Sequence, residues 1–233
     1  MEFETFEVSG IATALHGMRN PLSSWHLSDS KEEPFSGGLT IGPKDKDLAL
    51  RLIHSGPEHA KFLRQIFVSV DITAPRYWWM EFDTYRAGVE KNSCSTMHTI
   101  HKKPFEPEDF ATKELISEKW SEADSPLLIL TPMDTMRDIC SMLNRCRRLY
   151  LESKEHGDAA RAKMFWKQMI ILLPQSYLQK RTVTMSYAAL ANICRQRKGH
   201  KLTEWAKFIE WAQTLPESWM IFGGDDNAGR CEG

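Results

Sequence analysis

The sequence predicts a mixed α/β fold of the α+β type, in which a sheet is packed with helices. Ile66, Val68, Val70 and Ile72 recur at every second position with polar residues between them, which is the period of a half-buried strand. Between residues 132 and 172, apolar side chains instead recur every three or four positions, which is typical of amphipathic helices. Both periods occur in one chain, so neither an all-helical nor an all-strand fold is expected.

The first half of the chain is predicted to alternate between strands, helices and loops. The stretch 3–11 alternates well enough to be an opening strand, whereas 18–38 is polar and rich in Pro, Gly, Ser and Glu, which predicts a surface loop. Residues 44–54 predict a short helix. A further helix is predicted from Pro75 to Tyr85, because proline tolerates the first helical position. The small and polar residues from 87 to 108 predict a loop that can carry chemistry.

Helices dominate the prediction for the second half. Thr131 is a predicted N-cap with Pro132 and Asp134 in the first turn, and the helix that follows is expected to end near Gly157. A helix over 158–172, a strand over 180–187 and helices over 187–198 and 201–214 come next. We expect residues 1–222 to form a single domain and residues 223–233 to be a disordered tail, because that tail has almost nothing to bury.

Composition and charge exclude several classes of protein. The 233 residues carry 30 Lys and Arg against 31 Asp and Glu, a net charge of -1, so no nucleic-acid partner is expected. The longest apolar run, 169–173, is much shorter than the roughly 18 residues of a membrane span, so no membrane partner is expected either. Five widely spaced cysteines and an acidic first segment predict a reduced, cytoplasmic protein without a disulfide framework. No spacing of His and Cys predicts a metal site.

Two blocks of the sequence resemble the flavin-dependent thymidylate synthases, also called thymidylate synthase complementing proteins. The first block is HAKFLRQIFVSVDITAP at 59–75, followed by a helix with a basic end and the loop NSCSTMH. The second comprises Leu-Pro at 173–174, TVTMSYAALANI at 182–193, Gln-Arg at 196–197 and GHKLTEW at 199–205. The order and spacing of these motifs are similar to those of the family over most of residues 1–222.

The resemblance implies a fold, an activity and a set of small-molecule partners. The fold would have a central, mostly antiparallel sheet packed with helices, and the sites would lie between the subunits of a homotetramer. The activity would transfer a one-carbon unit from methylene-tetrahydrofolate to the pyrimidine of dUMP, with FAD-mediated hydride transfer and NADPH as reductant. In such enzymes the protein mainly binds, orients and polarises, since the flavin and the folate carry the demanding chemistry.

Site residues are carried over position by position. Arg197 matches the arginine that stabilises the anionic pyrimidine and is the predicted catalytic residue. The positions predicted to bind the nucleotide are Glu81, Asn92, Ser93, Ser95 and Lys167. Those predicted to bind the flavin are His59, Tyr85, Arg86, Asn192 and His200.

The chain also differs from the family at several positions within these motifs. Met97 stands where the phosphate loop ends in arginine, and a thioether cannot make the bidentate bonds of a guanidinium. Ser93 replaces a Glu, Glu81 replaces a Gln, and Ser186 and Ala188 replace the Asn and Arg that follow the strand. Cations at neighbouring positions would compensate for the missing family residues, and the candidates are Lys61, Arg64, Lys91 and Lys167. The alternative is that the chain keeps the fold and has lost the reaction.

Three alternatives stay open at the level of sequence. A catalytically diverged nucleotide- or flavin-binding protein could keep the fold alone. Cys94, with His98 four residues on, could act as a covalent nucleophile on a pyrimidine. The aromatic-rich segments 76–86 and 202–221 would also suit a helical interaction protein without a small ligand.

Overall fold

The computed structural model describes residues 1–32, 38–117 and 131–224. Its strands are β1 (Glu2–Ser9), β2 (Lys31–Glu32), β3 (Leu39–Thr40), β4 (Phe67–Pro75), β5 (Val89–Ser93) and β6 (Leu178–Ser186). Its helices are α1 (Ile11–Met18), α2 (Pro43–His54), α3 (Arg76–Phe82), α4 (Thr96–Thr99), α5 (Pro132–Glu155), α6 (Ala159–Leu172), α7 (Tyr187–Arg197), α8 (Thr203–Gln213) and α9 (Trp219–Phe222). Short 3₁₀ helices occupy Asn20–Leu22, Trp25–Leu27, Ala60–Gln65 and Pro107–Asp109.

The main sheet has the strand order β1-β4-β6-β5. The alternation of buried and polar residues that the sequence predicts is present in β4, where Val68, Val70 and Ile72 are fully buried. The residues that alternate with these in β4 bind β6 instead. Ser69 and Thr184 share a hydrogen bond of 3.1 Å, and the Thr182 hydroxyl donates to Asp71 at 2.6 Å. A separate antiparallel pair joins β2 and β3, with Lys31 opposite Thr40.

The chain divides into two compact units. The first comprises Met1–Ile72, Phe82–Asn92 and Arg181–Gly233, and the second comprises Thr73–Glu81 and Ser93–Lys180. The prediction of a single domain over 1–222 stays a prediction. Most of the predicted tail, 225–233, lies outside the described residues.

The core of the second unit is built by α5 and α6. Thr131 caps α5 as predicted, because its hydroxyl accepts from the Asp134 amide and the Asp134 carboxylate accepts from Thr131 in return. Leu143 and Met169 are fully buried in the cluster that forms between these helices. Asn144 ties a loop to α5, since its side chain makes two 2.8 Å hydrogen bonds with the backbone of Phe105.

Some sequence predictions are wrong in detail. Residues 11–18 form a helix that was not predicted, because Ala14, Leu15 and Met18 share a buried face. The predicted loop 87–108 contains β5 and α4, and β5 escapes a periodicity argument because Val89 is its single buried residue. The helix expected to run from Pro75 to Tyr85 ends at Phe82, and Pro75 is the last residue of β4.

A buried ion pair organises the polar stretch that precedes α2. Arg19 donates to Asp45 at 2.6 Å, and both side chains are almost fully buried. The other carboxylate oxygen of Asp45 accepts from the hydroxyls of Ser28 and Ser30, each at 2.6 Å. Burial alone would raise the pKa of Asp45, but these hydrogen bonds and the adjacent guanidinium hold it below its ordinary value.

Asp45→Asn should lower the free energy of unfolding by about 3 kcal/mol at pH 7, because it leaves the Arg19 guanidinium buried without a counter-charge. Since the pKa of Asp45 is lower in the folded state, its contribution is present above about pH 4 and is lost as the pH falls through the lowered value. Urea unfolding of both proteins should therefore converge at acidic pH. The control is Asp47→Asn, whose exposed pair with Arg51 should be worth less than about 1 kcal/mol; equal losses in both variants would contradict the prediction.

Candidate functional site

An aromatic cluster in the first unit holds the predicted catalytic arginine. The Arg197 guanidinium lies 4.4 Å from the ring centroid of Trp205 and 5.4 Å from that of Tyr85, and its Nε donates to the Tyr85 hydroxyl at 2.8 Å. Trp205 is fully buried against Phe82 and Phe208. A cation over a buried indole gains quadrupole attraction as well as packing, so Arg197 is held in a defined orientation.

A chain of hydrogen bonds links this arginine to other predicted residues. The Tyr85 hydroxyl donates to Gln196 Oε1 at 3.1 Å, and Gln196 Nε2 donates to Asn192 Oδ1 at 3.2 Å. The His200 ring packs edge-on to Trp205 at 6.2 Å. The structure therefore brings together Arg197, Tyr85, Asn192 and His200, with Gln196 as a connecting residue that was not among the predicted site residues.

Two cations fix the turn that carries Tyr85. Arg181 and Lys91 both bind the Asp83 carboxylate, at 2.8 and 3.1 Å, and Lys91 Nζ also donates to the Tyr85 carbonyl at 3.2 Å. Lys91 and Arg181 are largely buried, at 17% and 16% exposed, whereas the Asp83 side chain is 45% exposed, so water screens the interaction in part. Sequence reasoning named Lys91 only as a possible displaced cation and did not find Asp83 or Arg181.

A cleft of about 900 Å³, here called the α7 cleft, lies within the first unit beside α7. Its wall includes small side chains that leave room for a planar group, among them Ala87, Ala188, Ala189 and Ala191. Arg64, Arg195 and Lys198 also line it, and none of the described residues that line it is Asp or Glu. The cleft is thus strongly cationic in a chain whose net charge is -1.

The α7 cleft owes its shape to a tight approach at the start of α7. Ser186 caps the helix by accepting from the Ala189 amide at 3.2 Å, and its own amide donates to the Gly88 carbonyl at 2.9 Å. Gly88 has a φ of +70°, and a Cβ there would lie 2.9 Å from Ser186 Oγ. A larger residue at 88 would be strained and would push into the cleft wall.

Asn192 connects the α7 cleft to the aromatic cluster. Its Oδ1 accepts from Arg195 at 3.0 Å as well as from Gln196, while its Nδ2 has no partner among the described residues. An amide nitrogen in a cleft wall is available to donate to a ligand carbonyl. The first unit also has a second cleft, which lies beside α2. Arg197 itself lines neither of the two clefts.

The remaining predicted residues lie elsewhere. His59 is exposed and lines the second cleft, Arg86 and Asn92 are exposed near β5, and the other four belong to the second unit. There Ser93 ends β5, Ser95 precedes α4, Lys167 is exposed on α6 and Glu81 lies in α3. The assignment of these residues to a nucleotide site stays a prediction.

Comparisons with known proteins differ in outcome. No protein-family model matches the chain. No curated protein matches it. Solved structures do. One is the flavin-dependent thymidylate synthase ThyX from Helicobacter pylori complexed with FAD and dUMP, at 19% identity and a TM-score of 0.64, covering 97% of this chain and 99% of that chain. Another, ThyX from the same organism with FAD and dUMP, has 17% identity and a TM-score of 0.66, covering 99% and 100%.

This chain has the flavin-dependent thymidylate synthase fold. The predicted fold class is thereby confirmed: α+β, with a central sheet packed with helices. At these identities the similarity concerns the fold, and the site residues must be judged on their own chemistry.

The described residues add two further findings. Over 1–32, 38–117 and 131–224, no helix has both the length and the apolar content that a bilayer crossing requires. The same ranges contain no group of three or more His, Cys, Asp or Glu side chains that could hold a metal ion.

The described cysteines differ sharply in environment. Cys94 is exposed, and its backbone carbonyl accepts from the Gln179 side chain at 3.0 Å. Cys194 is 4% exposed in the wall of the α7 cleft, and burial raises its pKa to about 12. Cys140 and Cys146 are also buried, and burial raises the pKa of both thiols.

Iodoacetamide at pH 8 should alkylate Cys94 at least ten times faster than Cys194, because burial raises the pKa of the Cys194 thiol well above pH 8 and shields its sulfur, whereas Cys94 is exposed. Peptide mapping by mass spectrometry of the native protein measures both rates. In denaturant the two cysteines should react alike. Equal rates in the native protein would show that the wall around Cys194 is open.

Proposed function

We propose that the protein is a flavin-dependent thymidylate synthase-like enzyme, which transfers a one-carbon unit from methylene-tetrahydrofolate to the pyrimidine of dUMP. FAD would mediate the hydride transfer, with NADPH as reductant and a cytoplasmic homotetramer as the working form. The fold similarity supports this proposal, and both similar structures were solved with FAD and dUMP. The observation that carries it is the α7 cleft, whose described lining has three cations and neither Asp nor Glu.

The α7 cleft fits a flavin nucleotide. Its alanine wall suits a flat ring, the Asn192 amide can donate to a ring carbonyl, and Arg64, Arg195 and Lys198 suit phosphate oxygens. Ser186 and Ala188 stand where the family has Asn and Arg, so Arg195 of α7 and Lys198, which directly follows α7, are the cations that would take over. The bound cofactor would supply the hydride chemistry, and the chain would bind, orient and exclude water.

Arg197 would stabilise negative charge on the pyrimidine. Its orientation is set by Tyr85 and Trp205, so little reorganisation is needed when charge develops, which is the condition for effective electrostatic catalysis. Of the residues that the resemblance assigns to the cofactor, Asn192 lines the α7 cleft, whereas His59, Arg86 and His200 do not. Their role at the cofactor, and that of Glu81, Asn92, Ser93, Ser95 and Lys167 at the nucleotide, stay predictions.

One observation favours a second candidate, a flavin- or nucleotide-binding protein on the same fold without synthase activity. Arg197 is engaged by Tyr85 and Trp205 and lines neither cleft. Such a protein would bind FAD in the α7 cleft but form no thymidylate.

The double variant Arg195→Ala with Lys198→Ala should weaken FAD binding at least tenfold, because charge-assisted hydrogen bonds contribute about 1.5–3 kcal/mol each. Titration of the purified apoprotein, followed by flavin absorbance, measures the affinity. The matched control is Lys113→Ala with Lys163→Ala, which removes two exposed lysines of the second unit. Wild-type protein that stays colourless with excess FAD would overturn the flavin proposal.

Arg197→Ala should lower the rate of dTMP formation about a hundredfold while most of the flavin stays bound, since its interaction with developing charge acts on the transition state. Arg148→Ala is the control, because it removes an exposed arginine of α5 that lines neither cleft, and it should leave both the rate and the flavin content unchanged. Parallel loss of flavin and rate in Arg197→Ala would make the arginine structural. Wild-type protein that binds FAD yet forms no dTMP from dUMP, methylene-tetrahydrofolate and NADPH would establish the second candidate instead.

A further inference from the structure

A second cleft of about 1090 Å³, here called the α2 cleft, lies in the first unit and is lined by residues of α2, the 3₁₀ helix 60–65 and the segment 17–27. The chain from 51 to 65 forms part of the wall of both clefts. Ile53, Ala60 and Leu63 line the α7 cleft, whereas Leu52 and Phe62 line the α2 cleft. Within the described part of the chain, Arg64 alone lines both clefts.

The α2 cleft is also cationic. Five of its described lining residues are Lys or Arg and two are acids, Asp47 and Glu58. Asp47 is already paired with Arg51 at 3.0 Å. The side chains of Lys44, Lys61 and Arg64 are exposed and have no ion-pair or hydrogen-bond partner among the described residues.

Arg19 adds a buried guanidinium to the wall of this cleft. The residue is 5% exposed, its Nε donates to Asp45, and its Nη1 donates to the Ser24 carbonyl at 3.4 Å. Its Nη2 has no partner among the described residues. Nη2 is not fully buried, so it meets solvent at the wall of the cleft and can donate to an anion there.

Apolar side chains complete the lining. Met18, Leu27, Leu48 and Phe62 line the cleft together with the cations. A pocket of this kind favours a ligand with an apolar body and a concentrated negative charge. Several unpaired cations favour a dianion over a monoanion, because a phosphate monoester carries nearly two charges at neutral pH and three acceptor oxygens.

We propose that the α2 cleft binds a small phosphate monoester with an apolar body, and that Arg64 couples this site to the α7 cleft. Arg19 would bind the phosphate from the wall, and Lys44 and Lys61 would bind it from the rim. A guanidinium that pairs with an anion in one cleft is not available to the other, so the two ligands weaken each other through Arg64. The coupling rests on the proposed flavin function, whereas the phosphate site does not.

Phenyl phosphate is the probe for the phosphate site, measured by isothermal titration calorimetry on the full chain. Lys44→Ala with Lys61→Ala should weaken its binding at least tenfold. Arg195→Ala with Lys198→Ala, in the other cleft, and the control Lys113→Ala with Lys163→Ala should leave it within about twofold of wild type. Arg19 is not substituted, because its pair with Asp45 supports the fold.

The outcomes separate the possibilities. Failure of phenyl phosphate to bind at millimolar concentration, or loss of binding only in the Arg195 and Lys198 variant, overturns the α2 site. Benzoate binding as tightly as phenyl phosphate overturns the preference for a dianion. Inorganic phosphate binding as tightly as phenyl phosphate removes any role for the apolar lining.

The coupling is tested by titrating FAD with and without saturating phenyl phosphate. The affinity for FAD should fall at least threefold in wild-type protein and stay unchanged in Arg64→Ala. An unchanged affinity in wild type, or an equal fall in Arg64→Ala, overturns the coupling. If FAD does not bind at all, the proposed function fails while the calorimetry still decides the phosphate site.

Discussion

The packing of the Arg197 guanidinium on the fully buried Trp205 is the interaction on which the candidate site depends. It fixes the end of α7 against α8 and, through the Tyr85 hydroxyl, against the turn that follows α3. The start of α7 is fixed as firmly, by the Ser186 cap and the close approach of Gly88. A helix held at both ends is a rigid wall, and rigid walls allow a cleft to present its polar groups without reorganisation.

The distribution of charge matters more than its total. The chain is almost neutral, yet two of its acids are committed to specific cations: the buried Asp45 to Arg19, and the half-exposed Asp83 to Arg181 and Lys91. These pairs hold structure in place. None of the described residues that line the α7 cleft is an acid, so its cations act on whatever enters. Three exposed cations without a neighbouring acid make this cleft locally positive, which the net charge does not reveal.

The fold and the site carry different amounts of information about function. Similarity at 17–19% identity over nearly the whole chain establishes how the helices and the sheet are arranged. The chemistry depends on fewer groups, and several of these are not the residues of the family motif. Ser186 and Ala188 bring no guanidinium to the start of α7. Arg195 and Lys198 instead bring two cations nearer its end. A fold can keep its packing while the site it carries changes, because core packing and ligand recognition use different side chains.

The sequence by itself determined the elements whose signals are local. The alternation of β4, the cap of α5 and the stop between α6 and β6 follow from side-chain period, capping chemistry and proline geometry within a few residues. It also indicated the fold, through motif order along the chain. The tertiary structure alone decided that Gln196 joins Tyr85 to Asn192, that Arg197 lies on Trp205 and that Arg64 lines two clefts. These are contacts between residues far apart in sequence or between side chains whose direction no period specifies, so their energies appear only once the chain is folded.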